Sequence, residues 1–399
     1  VHVKSDAGAL QGVRVVEVGV FMAAPFAAMH LADMGADVVK VEAPGTGDPA
    51  RATGPFVSGE GSAFLRLNRN KRSVVLDLKQ PEGREAFLAL VDSADVLVEN
   101  LRPGALRRLG LGPEELRARH PRLVHASVSG WGQDGPLADQ PGLDIMAQAR
   151  AGLMSITGHP ETGPAKVGVP VCDLVAGLYA ALGIVAALRR RDVTGEGDQL
   201  DVSLLEAGVS LAVWEAGRYF ATGEVGSPQG TAHQSQAPYQ AVVTSDGHVT
   251  VGANTPKTWE GFCAALERPD LLADPGYASV AQRYQRREQL LAEIERTTRT
   301  RTTDDLVAAW TAHGVPCAPL STYDQVFDDP HLAARDFFWD APDADGTPVR
   351  QIGSPLRFAE AAAQRRTAGP RLGGDSLEVL AELLGEERAA ELLAAGVAR

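Results

Sequence analysis

A carboxylate stands at the head of a long apolar run. The segment KVGVPVCDLVAGLYAALGIVAALRRR, residues 166–191, places Asp173 just before several turns of helix-forming residues. Two chemistries fit that position. Asp is favoured at a helix start, where the helix dipole stabilises negative charge. A carboxylate there could also act as a nucleophile, with backbone N–H groups ready for an acyl oxyanion. Its neighbour Cys172 offers either a thiol nucleophile or a small packing group. Cys172, Cys263 and Cys317 are the three cysteines of the chain, and they form no CxxC pair and no metal-ligand pattern. Such sparse cysteine suits a reducing compartment.

A second set of chemical residues is basic: Arg51, Lys71, Arg72, Lys79, Arg102, Arg107 and Arg108. Several fall at expected strand ends or in the loops that follow, where an open α/β sheet holds its ligand. They fit either phosphate neutralisation or a solvated surface. The turn after the first expected strand reads EVGVFMAAPFAAM, without the glycines of a dinucleotide fingerprint. GxxxxGK[ST] and GxSxG are also missing, which argues against nicotinamide, NTPase and common hydrolase chemistry.

These residues must be positioned by a regular frame. VRVVEVGV (13–20), ADVVKVE (36–42), RSVVLDLK (72–79), DVLVEN (95–100) and RLVHASVSGWG (122–132) read as strands. Helical stretches separate them, including APFAAMHLADMG, PEGREAFLALVDSA, PGALRRLG and GPEELRARH. This alternation predicts a Rossmann-like α/β domain with a mostly parallel sheet. The helix from about 173 to 191 has one face of large residues, Leu174, Leu178, Leu182, Val185 and Leu188. Its other face is small, with Ala176, Gly177, Ala180, Ala181 and Gly183. DQLDVSLLEAGVSLAVW then supplies a further strand and helix.

The composition becomes rich in Gly, Ser, Gln and Pro near 217, which predicts a linker. YQAVVTSDGHVTVGA predicts a hairpin around Asp246-Gly247, and helices are expected near 257–268, 285–298 and 303–313. The expected organisation is therefore a large domain over 1–216, a linker and smaller α+β domain over 217–330, and a return to the large domain over 331–399. PVRQIGSPLRF (348–358) reads as a strand returning after the insertion, followed by C-terminal helices. With 399 residues, 44% hydrophobic and 22% charged, the chain can bury a substantial core. A net charge of −13 argues against general nucleic-acid binding. VHVKSDAGALQG lacks an apolar signal core, and LYAALGIVAAL is about half a membrane span. A soluble, cytoplasmic protein is expected.

The order of motifs resembles the class III CoA-transferase family, which includes formyl-CoA transferase and carnitine CoA-transferase. The stretches that carry it are GVRVVEVGVFMAAPFAAMHLADMGADVVKVEAPGTGDPAR, NRNKRSVVLDLKQPEGREAFLALVDSADVLVENLRPGALRRLGLG, GWGQDGPLADQPGLDIMAQARAGLM and GVPVCDLVAGLYAALGIVAAL. Weaker similarity continues to LLAAGV near the end. The resemblance implies an interlocked homodimer, each ring-shaped subunit threaded by the other. It implies that Asp173 is catalytic and passes through an acyl anhydride and an aspartyl-CoA thioester.

By aligned position it also implies CoA contacts at Phe21, Met22, Leu76, Lys79, Asn100, Leu101, Arg102 and Arg108, and in Pro141–Asp144, here Gly142 and Asp144. Coenzyme A would be both substrate and covalent passenger, with no metal and no NAD. Within the superfamily, acyl-CoA racemases need an acid/base pair in a GHD-like context. PGLDI stands there, and Leu143 cannot carry a proton. A non-catalytic CoA-binding relative is the other alternative, against which Asp173 speaks. VGANTPKTW replaces the glycine-rich loop of formyl-CoA transferase. The middle and C-terminal segments look closer to the branch that handles dicarboxylates, which implies a succinyl-CoA-dependent transferase. His233, Gln236, Tyr239, Asn254 and Lys257 fit either acyl-group contacts or ordinary loop solvation.

Overall fold

The strands begin in Val-rich runs whose branched side chains suit a buried pleated surface. β1 (Arg14–Val18), α1 (Ala23–Asp33), β2 (Asp37–Glu42) and β3 (Lys71–Val75) come first. α2 (Pro81–Asp92) opens on a proline, whose missing N–H costs nothing in a first turn. β4 (Val96–Glu99), β5 (Val124–Ser129), α3 (Asp144–Arg150) and α4 (Val171–Thr194) follow. β6 (Gln199–Ser203), α5 (Leu204–Ser210) and α6 (Val213–Thr222) complete this part. This computed structural model describes residues 7–399. The six strands form one parallel sheet in the order β6-β5-β4-β1-β2-β3.

The chain divides into two compact units. One contains the residues up to Leu153, Val167–Thr222 and His331–Arg399; the other contains Met154–Lys166 and Gly223–Pro330. In the first unit, alternation along each strand sends side chains to two cores. Val15, Val38, Val96 and Val124 pack with α1, α4 and α5 on one face. Val16, Val39, Val74 and Leu97 face the other way, toward α2. The chain winds from β1 outward to β3, then returns to β4 on the opposite side of β1. Strand order therefore reverses between β1 and β4, and a crevice opens at their carboxyl ends.

α4 is long and apolar enough, by length and composition, to cross a membrane, yet it is a core helix of this unit. Its small face is the buried one: Cys172, Ala176, Gly177 and Ala180 are inside, while Leu178 and Leu182 are exposed. Gly177 lies so near α1 that a Cβ would stand 2.7 Å from the Ala23 carbonyl oxygen. α1 and α4 each lead into a strand of the parallel sheet, so they run side by side in the same direction.

In the second unit, β7 (Tyr239–Val243) and β8 (His248–Gly252) form the expected hairpin around Asp246-Gly247, and β9 (Cys317–Pro319) adds antiparallel to β8. α7 (Pro256–Ala265), α8 (Arg287–Thr298) and α9 (Thr303–Ala312) cover it. Trp259, Phe262 and Trp310 stack at centroid distances of 5.5 and 5.3 Å to make its aromatic core.

Three local expectations are corrected. The strand expected over 348–358 forms, but only over β11 (Pro348–Ile352), where it pairs with β10 (Phe338–Pro342). The Asp343 carboxylate accepts from Asp345 and Thr347 N–H groups and closes the tight turn between them. PGALRRLG yields only a single 3₁₀ turn at Arg107–Leu109, stopped by Gly110 at a φ of 73°. The segment expected to start the linker at 217 is helical to Thr222, ending at Gly223 with a φ of 73°. α10 (Ser376–Leu384) and α11 (Glu386–Ala394) then close the second face of the sheet beside α2.

Candidate active site

Asp173 lies in the first turn of α4. The N-cap of that helix is Pro170, which has no side-chain acceptor for the open N–H groups. Asp144, at the head of α3, supplies one. Its Oδ1 accepts from the Cys172 N–H at 2.8 Å and from the Asp173 N–H at 3.4 Å. Its Oδ2 accepts from Gln148 Nε2 at 2.6 Å. Gln148 is fully buried, and its own oxygen accepts from the Val167 N–H at 2.9 Å. Together these two side chains fasten the approach to α4.

Because Gly177 sits against Ala23, Asp173 stands one helical turn beyond the start of α1, toward the carboxyl edge of the sheet. Burial pushes the Asp173 carboxyl up to about 7, and the nearby Asp144 charge adds to this. Asp173 is thus a more basic carboxylate than an exposed one. Cys172 is fully buried, its Sγ against the Cα of Gly208, where a Cβ would come within 2.9 Å. Burial, with Asp144 and Asp173, pushes its thiol up to about 11. It is a protonated packing group at neutral pH.

At the same edge, the crevice opens into a cavity of about 480 Å3 at the ends of β1, β2, β3 and β4. Val18, Val41, Leu76 and Leu101 give it an apolar lining, with Lys79 and Arg108 as its cations. The seven basic residues now separate by partner. Arg51 is buried on Glu42 at 2.7 Å, Lys71 on Glu17 at 2.7 Å, Arg72 pairs with Asp37 at 2.7 Å and Arg107 with Glu114 at 2.7 Å. Lys79, Arg102 and Arg108 make no salt bridge among the described residues, and all three are exposed.

Leu76, Lys79, Leu101 and Arg108 therefore line one cavity. Phe21, Met22, Asn100 and Arg102 stand in the adjoining loops. Gly142 and Asp144 are not among the lining residues: Gly142 packs on Gly130, and Asp144 caps α4.

The turn after β1 is held from two sides. Asn100 uses its whole amide on Val20, accepting from its N–H and donating to its carbonyl, each at 2.8 Å. Asp48 accepts from the Phe21 N–H at 3.0 Å and faces Lys40 at 3.0 Å. Phe21 adopts a φ of 57°, a left-handed conformation uncommon for a bulky side chain. Lys40 also donates to the Gly19 carbonyl at 2.7 Å and pairs with Glu17 at 2.7 Å.

Burial works to lower Lys40, but Glu17, Asp48 and Glu42 outweigh it and leave it raised. For Lys71 burial prevails over Glu17 and pushes it down to about 8. The sequence reading missed Glu17, Lys40, Asp48 and Gln148. A signal existed in the Val runs of β1 and β2, where Glu17 and Lys40 occupy inward positions and are direct neighbours in register.

In the second unit, four of the five expected acyl-contact residues form one loop cluster. His233 stacks on Tyr239 with centroids 4.9 Å apart, and Asn254 Nδ2 donates to Gln236 Oε1 at 2.7 Å. Tyr239 stands opposite Gly252 in the hairpin, which leaves room for its ring. Lys257 is separate, in the first turn of α7, after the Thr255 capping box. Beneath the cluster the buried Arg283 donates to the carbonyls of Ala237 and Tyr277 at 3.0 and 2.9 Å and lies over the Trp259 ring.

The chain is similar along almost its full length to known proteins. It is 40% identical over 386 residues to a succinyl-CoA:mesaconate CoA-transferase of Haloarcula hispanica, covering 94% of this chain and 96% of the relative. It is 35% identical over 391 residues to the human succinyl-CoA:glutarate CoA-transferase, covering 97% and 89%. A crystal structure of a CaiB/BaiF family protein from Brucella suis superposes with a TM-score of 0.86 at 35% identity, covering 94% of this chain and all of that one. The family model described as CoA-transferase family III matches residues 10–376. An α/β frame with a half-buried carboxylate and a partly cationic cavity on one sheet edge, together with these matches, places the chain in CoA-transferase family III.

Proposed function

We propose that this enzyme moves CoA from succinyl-CoA to a second dicarboxylic acid, with Asp173 as the covalent carboxylate. The observation that carries the reading is Asp173 itself: a half-buried carboxylate in the first turn of α4, on the sheet edge that also holds the cavity. The relatives that transfer CoA from succinyl-CoA to mesaconate or glutarate support the substrate class.

The Asp173 oxygen attacks the donor thioester carbonyl, the C–S bond breaks, and CoA thiolate leaves a mixed anhydride. The thiolate then attacks the aspartyl carbonyl and expels the donor acid, giving an aspartyl-CoA thioester. The acceptor carboxylate attacks that thioester, again releasing CoA thiolate and forming a new anhydride. The thiolate finally attacks the acceptor acyl carbon, forming acceptor-CoA and freeing Asp173. Each step trades one activated acyl bond for another, so no ATP is needed.

Lys79, Arg102 and Arg108 serve the phosphates of CoA; what supports this is that, of the seven basic residues, these three make no salt bridge among the described residues. Leu76 and Leu101 give the apolar wall for its base, with Phe21 and Met22 at the adjoining turn. His233, Gln236, Tyr239, Asn254 and Lys257 serve the acyl group.

The enzyme works as an interlocked homodimer of soluble, cytoplasmic subunits, each with a large domain from both chain ends and a smaller central one. Leu182, Val213, Trp214 and Phe220 support a second copy: they are 65%, 78%, 62% and 82% exposed, apolar surface of the kind an obligate partner covers. Purified wild type and Asp173→Ala would be given succinyl-CoA with a panel of carboxylic acids and no ATP, with products read by mass spectrometry. A new acyl-CoA made by wild type alone supports the reading. No new thioester from any pair, with folded protein that binds CoA, defeats it.

A further inference from the structure

We propose that Asp144 is a positioning residue that fixes the first turn of α4 and the charge environment of Asp173, and is not a CoA contact. The inference rests on Asp173 as the reacting carboxylate. α4 starts without a cap of its own, because Pro170 offers no side-chain acceptor for the open N–H groups. Asp144 reaches it from 28 residues upstream, by the 2.8 Å bond to the Cys172 N–H.

A carboxylate is the group this place needs. Oδ1 accepts from the α4 backbone while Oδ2 accepts from the Gln148 amide, whose own oxygen is already held by the Val167 N–H. An asparagine at 144 would turn a donor toward one of these donors. Both Asp144 oxygens are thus committed within the chain.

The same arrangement sets the charge around Asp173. A helix N-terminus ordinarily favours a bound negative charge. Here Asp144 occupies that end first, so Asp173 meets a like charge there. Among the described residues, the neighbouring elements bring no cation to offset it. The start of α1 is Met22, Ala23, Ala24 and Pro25, all uncharged. From α5, Gly208 packs on Cys172, and Glu206 is engaged by Ser203 at 2.6 Å. Cys172 is a protonated thiol. Asp144 is the charge that bears on Asp173. The consequence is a basic carboxylate held in a fixed place, suited to attack a thioester.

The test is a 13C titration of aspartate carboxyls in the full-length enzyme, with the Asp173 signal assigned by its loss in Asp173→Asn. Asp144→Asn keeps an oxygen for the Cys172 N–H but removes the charge, and its Asp173 midpoint is expected to fall by roughly one pH unit. Gln148→Ala loosens the same segment but keeps the charge, and its midpoint is expected to stay within about 0.3 unit of wild type. In assays, the acid limb of kcat/KM should follow the midpoint. Asp144→Ala should lose roughly 10- to 100-fold in kcat with the acyl-CoA KM within about twofold.

The proposal is overturned by an unmoved midpoint in Asp144→Asn, by an equal shift in Gln148→Ala, or by an acyl-CoA KM raised about tenfold at intact kcat. The titration needs no turnover. Wild type that transfers nothing would defeat the transferase reading, while the shifted midpoint would still establish the coupling of Asp144 to Asp173.

Discussion

Asn100 closes both backbone groups of Val20, taking its N–H and meeting its carbonyl at 2.8 Å each. One amide at the end of β4 thereby fixes the turn at the end of β1, across the point where strand order reverses. Asn100→Ala should leave two backbone groups unmatched and release the turn before Phe21. The expected cost is on the order of 1–3 kcal/mol in chemical denaturation, with a raised KM for every acyl-CoA tested. Unchanged stability would show that water replaces the amide without loss.

Asp173 gives a pH prediction with a definite sign. Its folded pKa is raised from the ordinary carboxylate value to about 7, chiefly by burial. Its contribution to stability is therefore fully present below the unfolded value near 4 and is lost as pH rises through about 7. Asp173→Asn should abolish transfer. It should also stabilise the fold relative to wild type by on the order of 4 kcal/mol at pH 8, and by a clearly smaller margin, on the order of 1–2 kcal/mol, at pH 5. Differential scanning calorimetry at the two pH values reads this directly. A gain of equal size at both would assign the effect to packing.

Lys79 and Arg108 should matter through charge. Each replaced by Ala is expected to weaken CoA binding roughly tenfold at low salt, and less at high salt, while Tm stays within about a degree. Arg51→Ala should behave in the opposite way, because Arg51 is buried on Glu42 and over the Phe64 ring. Breaking that pair should cost on the order of 3–5 kcal/mol. Calorimetric CoA binding at two ionic strengths, beside denaturation curves, separates the two classes. Salt-independent loss at Lys79 and Arg108 would remove them from phosphate contact.

Gly177→Ala tests the seam between α1 and α4. The new Cβ would stand 2.7 Å from the Ala23 carbonyl, which is backbone and cannot rotate away. Helix propensity favours the alanine by about 1 kcal/mol, but forcing the helices apart should cost more, on the order of 1–3 kcal/mol. A net loss of stability with reduced transfer is expected, since Asp173 lies one turn along the same helix. A stabilised variant would show that the helices can separate without strain.

Much of the frame was legible because its signals are local. Alternating Val-rich strands and helices are written in consecutive residues, and so is the Asp246-Gly247 hairpin. The order of motifs carried the family and pointed to Asp173, Leu76, Lys79, Leu101 and Arg108. The run in 348–358 shows where locality misleads. Its residues favour a strand, but a strand has two edges and no address, and the turn at Asp343 directs it to Phe338–Pro342.

Composition and spacing by themselves determined an α/β fold and a carboxylate at the start of a long apolar helix. Tertiary structure decided what each charge does. Arg51, Lys71 and Arg72 look the same in sequence as Lys79 and Arg108, yet distant carboxylates at Glu42, Glu17 and Asp37 consume the first three. Asp144 and Asp173 are both helix-start aspartates in the chain, and only folding makes one the cap of the other's helix. The physical reason is that a charge takes its meaning from burial and from partners within a few ångströms. Most of those partners lie tens of residues away along the chain, and even Glu42, nine residues before Arg51, is brought to it only by the fold.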